Sequence, residues 1–489
     1  MFISQYVRRL GQYSVRFGNF FNVSNFSLWV VLFVLPITSC SSTNFQFEGN
    51  PQHYNFSHGS VHSFRVHVGG RVIAPPSMKN NRIFISSGKI SENLQSGQVV
   101  AINARSGRIL WRTSLPNVIM TQPVVTKKMV IVGMGGKRMF TTNKGYSCKS
   151  HFGHGIIALH TNNGKIAWMH LTRCQVMPTP TYVNHEILGP TGGGHFIALN
   201  AHNGHLLWKI PISGWSAMSS PLRSGSNVFF GTDNSFTNRN LFYGINWKSR
   251  RIIWSHNFKH VVNLAEASPV LDDGIVFTAF MHNSQYGVLK ILNYFLNHKD
   301  MRYYTFDVVG MNSKNGRILY RKEIYTKSFT PGAWLHAHLI DDRIYWRNWL
   351  DAAFRKVADF INIPVSISNP NKPIPKKAGI YDPPLTAWHN IVFVEPRLTG
   401  RLYALDARSE KVLWSLKTGE DISNPSIYRG LLYLVNAKGV LYVIKACSGK
   451  VVFIKKLKTG AVGPADGLLS SHHIVVGGAS GEVVSLRTR

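Results

Sequence analysis

The sequence predicts an all-β chain folded as an eight-bladed β-propeller of four-stranded blades, with the ring closed by pairing of N- and C-terminal strands. Three observations lead there. The chain has 489 residues, more than one ordinary core serves, so it holds several domains or one closed architecture that grows by repetition. A fourteen-residue segment recurs seven times, each copy ending in an aromatic residue. Each copy alternates apolar and polar positions about a turn, which is the period of paired strands.

In chain order the first element reads as an export signal. Arg8, Arg9 and Arg16 precede a ten-residue apolar run, Phe26 to Leu35, and no acid occurs before Glu48. That run is too short to span a bilayer and suits the core of a signal peptide. Ile37-Thr38-Ser39-Cys40 follows and resembles a bacterial lipobox, which implies cleavage before Cys40 and a lipid on its sulfur. Ser41, not Asp, comes next, so nothing there favours retention at the inner membrane. The expected division is a signal peptide over 1–39, a lipidated Cys40 and tether over 40–60, and a propeller over 61–489.

The repeats come next. The copies end at Trp111, Trp168, Trp208, Trp254, Tyr320, Trp414 and Phe453, and a partial copy ends the chain at Arg489. The gaps between these aromatics are 57, 40, 46, 66, 94 and 39 residues, so the base period is near 40 with insertions. In each copy a strand such as Val100–Ile102 runs into a turn, which in five of the seven carries Gly107, Gly164, Gly204, Gly316 or Gly449, where positive φ is needed. A second strand leads to the aromatic. A further hairpin lies upstream, opened by a proline such as Pro123, Pro221 or Pro269, which makes four strands per unit. The aromatic at its fixed place is a peg docking one blade on the next. The eighth blade combines Val462–Leu486 with an early strand at Ser63–Val68, leaving no free edge. Two insertions, about 283–303 and 347–380, are expected on one face. Gly287–Asn297 and Trp349–Phe360 read as short helices and Pro331–Trp346 as a hairpin. The gap of 94 residues holds an insertion in preference to a ninth blade.

The pattern A-x-D/N-A-x-S/T-G-x-x-x-W resembles the repeat of the pyrroloquinoline-quinone (PQQ) type propellers. That resemblance covers roughly residues 72–489. It departs at Arg250 and Glu410, which stand where the glycine belongs, and at Tyr320 and Phe453, which replace Trp. It implies one of two functions. Quinoprotein dehydrogenases of the family hold PQQ with a Ca²⁺ bound by Glu, Asn and Asp, beside an Asp base, an Arg and often an adjacent cysteine pair. Non-enzymatic members include the propeller lipoprotein of the outer-membrane β-barrel assembly machine.

The residues bear on that choice. The cysteines, 40, 148, 174 and 447, are far apart, so no adjacent pair exists and no C-x-x-C-H haem motif occurs. Acids are few for a Ca²⁺ site, which needs several hard oxygens together. Asp233, Asp307, Asp382 and Asp466 are the candidate axial acids, the others falling at turns. His336-x-His338 puts two rings on one strand face, as zinc could use, but no third ligand is placed. His151, His154, His472 and His473 read as loop or edge residues. No G-x-S-x-G elbow offers a nucleophile. Cys148 and Cys174 flank blade 2 and form the candidate disulfide in an oxidising compartment, while Cys447 is expected to be free.

Fifty-five basic residues against 22 acidic ones give a net charge of +33. Nucleic-acid proteins show such charge, but an exported chain rarely meets nucleic acid. The readings left are attraction to anionic envelope material, such as lipopolysaccharide phosphates or acidic glycan, or a solubility trait of an unusual periplasm. The expected function is a lipid-anchored scaffold at the periplasmic face of the outer membrane, binding envelope proteins, without catalytic, metal or cofactor residues. The alternatives are a PQQ- and Ca²⁺-dependent alcohol or sugar dehydrogenase, and a glycan binder using Trp346, Arg347 and Trp349.

Overall fold

The computed structural model describes residues 56–57, 62–72, 74–90, 95–135, 153–216, 218–233, 239–259, 261–262, 264–282, 305–325, 385–396, 400–419, 423–457, 459, 468–470 and 473–487. Every described element is a β-strand. The strands form eight sheets, each built on a four-stranded antiparallel meander and lettered here A to D from the innermost strand outward.

Blade 1 is Ser77–Lys79, Arg82–Ile90, Gln95–Asn103 and Ile109–Leu115. Blade 2 is Val124–Val125, Met129–Met134, Gly155–His160 and Ile166–Leu171. Blade 3 is Thr181–Val183, Glu186–Thr191, His195–Asn200 and Leu206–Pro211. Blade 4 is Leu222–Ser224, Asn227–Thr232, Asn240–Asn246 and Arg251–Phe258. Blade 5 is Val270–Asp272, Ile275–His282, Thr305–Asn312 and Ile318–Tyr325. Blade 6 is Leu385–Trp388, Ile391–Val394, Arg401–Asp406 and Val412–Lys417. Blade 7 is Ser426–Tyr428, Leu431–Val435, Val440–Lys445 and Val451–Lys456. Blade 8 takes Leu468–Ser470, His473–Gly477 and Glu482–Arg487 from the C-terminal end and Phe64–His67 from the N-terminal end. The last two pair antiparallel, Phe64 opposite Ser485 and His67 opposite Glu482. This is the expected closure, and it leaves blade 8 without an open edge inside the ring.

The core is divided among the seams between blades. Each seam carries its own apolar cluster, for example Phe84, Trp111 and Val99 of blade 1 against Val130, Val132 and Ile157 of blade 2. The last seam joins Val475 and Val483 of blade 8 to Ile83, Val100 and Ile102 of blade 1. Blade 5 meets blade 6 directly, with Val270, Phe277 and Val308 on Leu385, Ala387 and Val392. No ninth blade stands between them, so the long gap is an insertion.

A meander has two ends. The A–B and C–D turns lie at one, the hairpin end. The B–C and D–A connections lie at the other, the connection end. Residues 283–304 join strands B and C of blade 5, and 326–384 join strand D of blade 5 to strand A of blade 6. Both insertions therefore leave and re-enter at the connection end. The expected helices at 287–297 and 349–360 and the hairpin at 331–346 lie outside the described residues.

Candidate functional site

The seams show what the repeat motif is for. Trp111, on the D strand of blade 1, donates its indole N–H to the carbonyl of Thr161 in the C–D turn of blade 2, at 3.0 Å. Trp168 does the same to Ala201 of blade 3 at 3.0 Å, and Trp414 to Ala446 of blade 7 at 2.8 Å. The ring lies against the glycine of that turn. A Cβ on Gly164 would stand 2.5 Å from Trp111, and one on Gly204 2.4 Å from Trp168. These glycines have φ of +70° and +73°, so the motif needs glycine both for the left-handed turn and for the close approach.

Opposite each aromatic, strand C carries a small residue: Ala101, Ala158, Ala198, Gly244, Gly310 or Ala404, with Val443 opposite the smaller Phe453. Directly after that residue the pairing slips in all seven C–D hairpins, as between Ala101 and Ile102. The repeat's Asn or Asp caps the turn. The Asn103 side-chain oxygen accepts the N–H groups of Arg105 and Ser106, both at 3.0 Å, and Asp406 accepts those of Arg408 and Ser409.

The departures from the motif have local consequences. Arg250 and Glu410 both take φ of +59°, the glycine conformation with a side chain in it. Each faces an aromatic that does not use the turn carbonyl. Trp208 donates instead to Glu186 at 3.2 Å. The Tyr320 hydroxyl is buried with no hydrogen-bond partner among the described residues, and burial, then Glu410 and Asp406, hold it un-ionised. Phe453 has no N–H or O–H to donate, and blade 8 has no C–D turn to receive one, because its C and D strands are separate chain segments. The sequence reading missed the eighth peg, Phe64, against which a Cβ on Gly107 would stand at 2.7 Å. The residue opposite it is Ser485, again small. Phe64 lacks the motif because no turn joins its strand to its partner.

At the axis the residues preceding the strand-A prolines form a ladder between blades. Gln122 N–H donates to Thr179 Oγ1 at 2.9 Å, Thr179 N–H to Ser220 Oγ at 3.0 Å, and Ser220 N–H to Ser268 Oγ at 3.1 Å. A residue before proline is extended, and its sideways N–H needs an acceptor that the neighbouring hydroxyl supplies. On the connection end, Val118, Met120, Met177 and Ala265 are buried together, with Trp215 and Met218 against them. They come from four successive D–A connections and form an apolar rim along one side of the axis.

Among the expected axial acids, Asp233 is part of this rim. It exchanges two backbone hydrogen bonds with Trp215, both 3.0 Å, and its carboxylate accepts the N–H of Ala265 at 3.2 Å. Asp307 lies elsewhere, on strand C of blade 5, buried and bound by Arg321 Nε at 3.0 Å and Nη2 at 2.6 Å. Asp382 and Asp466 lie outside the described residues. Two carboxylates passed over in the sequence also belong to the connection end: Glu266, beside Ala265, and the fully buried Glu395, which follows strand B of blade 6. A buried acid after a strand of four apolar residues was the available signal for Glu395. Among the described residues no three His, Cys, Asp or Glu side chains come together as a metal site. His154 is buried, and His151, His336, His338, His472, Trp346, Arg347 and Trp349 lie outside the described residues.

Cys174 is disulfide-bonded, and its expected partner Cys148 lies outside the described residues, as does Cys40. Cys447 is also disulfide-bonded, which corrects the expectation of a free thiol in that turn.

Comparison with known proteins agrees with this geometry. The family model described as outer membrane protein assembly factor BamB, a PQQ-type repeat model, matches residues 57–279, 152–348 and 367–489. The tetrathionate hydrolase of Acidithiobacillus ferrooxidans is 22% identical over 369 residues, covering 72% of this chain and 61% of that protein. Outer membrane protein assembly factor BamB of Moranella endobia is 22% identical over 234 residues, covering 45% of this chain and 54% of that one. The chain thus spans little more than half the length of these relatives. The crystal structure of BamB from Moraxella catarrhalis superposes with a TM-score of 0.54 at 11% identity, covering 86% of this chain and 95% of that one.

Proposed function

The chain belongs to the PQQ-type propeller family described as outer membrane protein assembly factor BamB, and from that membership we propose that it is an envelope scaffold binding other proteins, in the assembly of outer-membrane proteins. The apolar, Met-rich rim at the connection end carries this reading. Trp215 and Met218, the partly exposed members of that cluster, together with two insertions leaving from the same end, make a surface suited to adaptable protein contacts. Around the axis the described polar side chains, such as Gln122, Thr179, Ser220 and Asp233, bind groups of the protein itself, and Asp307 lies elsewhere, held by Arg321. That donor set does not fit a calcium-bound tricarboxylic quinone, and no step is derived through one.

Anchoring through a lipid on Cys40 is part of the reading, as is a Cys148–Cys174 bridge. Cys174 and Cys447 are both bonded, so the anchor requires that neither of them takes Cys40 as its partner. Peptide mapping of non-reduced protein from cells decides this. A diacylglyceryl Cys40 supports the anchor, and a bridge between Cys40 and Cys447 overturns it.

A second reading has its own support. The tetrathionate hydrolase relative matches 72% of the chain, and Asp233, Glu266 and Glu395 place three carboxylates at the connection end. Under that reading the chain hydrolyses an anionic sulfur compound, with one of these acids moving a proton. The test is purified protein offered tetrathionate and, separately, PQQ with Ca²⁺ and an alcohol. The scaffold reading expects no turnover of either. Tetrathionate turnover abolished by Asp233→Asn or Glu395→Gln would replace it.

A further inference from the structure

Lys and Arg are scattered along the sequence, but the fold sorts them at the hairpin end. In blades 5 and 6 this end is balanced. Lys314, Arg317, Arg408 and Lys411 stand among Asp272, Asp273, Asp406 and Glu410, and Arg408 pairs with Asp273 at 2.5 Å. The other six blades form an arc, running from blade 7 through blades 8 and 1 to blade 4, that is nearly free of acid. Each blade of the arc except blade 3 puts at least one Lys or Arg on this end, and blade 3 adds the exposed His185, His202 and His205. Arg105, Lys127, Lys128, Lys165, Lys248 and Lys445 are all exposed at turn tips. The one carboxylate at the hairpin end of the arc among the described residues is Glu186, half-buried and already accepting the Trp208 indole.

Beside these cations the D strands begin with exposed aliphatic residues. In blade 2, Ile166 is 51% exposed; in blade 3, Leu206 and Leu207 are 44% and 43% exposed; in blade 4, Ile252 and Ile253 are 40% and 39% exposed. Each group directly follows a basic residue or histidine: Lys165, His205 or Arg251. Cations at the tips with aliphatic side chains one residue behind them form the arrangement by which a surface sits in a lipid interface. The cations meet phosphates and the aliphatics reach the acyl boundary.

We propose that this arc docks on a phosphate-bearing lipid surface. Charge complementarity names the occupant. A second copy would bring like-charged arcs together. Nucleic acid would use the cations and leave the aliphatics idle. The sector of blades 5 and 6 carries the same aliphatic residues without the net charge, so it serves as an internal control. The proposal does not depend on the scaffold reading or on a lipid at Cys40.

The test is sedimentation of the full-length purified protein with phosphatidylglycerol vesicles and with phosphatidylcholine vesicles. Binding to the anionic vesicles, weakened by salt, is expected, with little binding to the neutral ones. Three changes within the arc, Arg105→Gln, Lys127→Gln and Lys128→Gln, should weaken anionic binding about a hundredfold, from the contribution of each cation near a charged interface. The control Lys314→Gln with Arg317→Gln should change it less than the arc variant does. Leu206→Ser with Leu207→Ser should also weaken it. Circular dichroism of each variant shows whether the propeller is intact, and Lys127→Gln alone serves if the triple variant misfolds. Equal binding to both vesicle types overturns the proposal. So does an arc variant no weaker than its control. Loss of binding through charge alone, with the leucine variant unchanged, also overturns it in favour of a soluble polyanion.

Discussion

At Gly164 a single hydrogen in place of a side chain lets two blades approach. Its φ of +70° and the 2.5 Å that a Cβ would leave to Trp111 mean that alanine there is both strained and overpacked. Gly164→Ala should destabilise the chain by about 2–4 kcal/mol, from overpacking plus the left-handed backbone. Gly274 is a useful contrast, because it too has positive φ but a Cβ there would meet nothing within 4 Å. Gly274→Ala should cost only about 1–2 kcal/mol, the backbone part alone. Urea unfolding midpoints compare the two, and equal losses would remove packing from the explanation. Tyr320 gives the opposite case. Its buried hydroxyl has no partner among the described residues, so Tyr320→Phe should be neutral or stabilising by up to about 1 kcal/mol, whereas Trp414→Ala should cost about 3–5 kcal/mol. The glycines and aromatics were legible in the sequence because each recurs at a fixed spacing. The small residue opposite each ring was present in the motif, but only the register explains it.

Among the elements, the C–D hairpin is the unit the sequence states most completely. Its cap, its left-handed turn, its slipped register and its peg all lie within fourteen residues. Asp406 makes one such hairpin sensitive to pH. Burial raises its carboxyl, but the N–H groups of Ser409 and Arg408, the Ser409 hydroxyl and the Arg408 charge outweigh that and hold it below the ordinary value of 3.8. A depressed carboxyl stabilises the fold above its unfolded value, and that contribution is lost as pH falls through the folded value. Asn103 and Asn312 make the same cap without a charge. Asp406→Asn should therefore keep the neutral-pH stability and lose part of the decline below pH 3.8, measured by thermal unfolding across that range. The same decline in both proteins would place the sensitivity elsewhere. Blade 8 was harder to read, because its outer hairpin is cut and its strands lie at opposite ends of the chain. Alternation alone located Ser63–Val68 as its strand, and Phe64 escaped notice as its peg. Phe64→Ser should destabilise the ring by about 3–5 kcal/mol, as a deleted core aromatic does. A loss below about 1 kcal/mol, typical of an exposed position, would show that closure does not need the ring.

For the molecule as a whole, architecture was legible and surface was not. Seven repeats and two matching ends were enough for eight blades and a closed ring. The direct seam between blades 5 and 6 then shows that the long gap adds no blade. The sequence presents its charge as diffuse because turns that share one end are about twenty residues apart. Only folding gathers them, leaving a charge-balanced sector in blades 5 and 6 and a basic arc over the rest. The axial rim is equally invisible beforehand, since its members come one or two at a time from four connections. Under the scaffold reading, that rim and the strand ends from which both insertions leave put the protein-binding surface at the connection end, opposite the basic arc. The most direct measurement is affinity capture of the tagged full-length chain from detergent-solubilised envelope, with the bound proteins quantified. An outer-membrane β-barrel assembly protein recovered in equimolar amount, and lost when the partly exposed Trp215 and Met218 are changed to Ser in a chain that still folds, is the expected result. A chain recovered alone that turns over tetrathionate would contradict the scaffold and make the carboxylates of the connection end its active site.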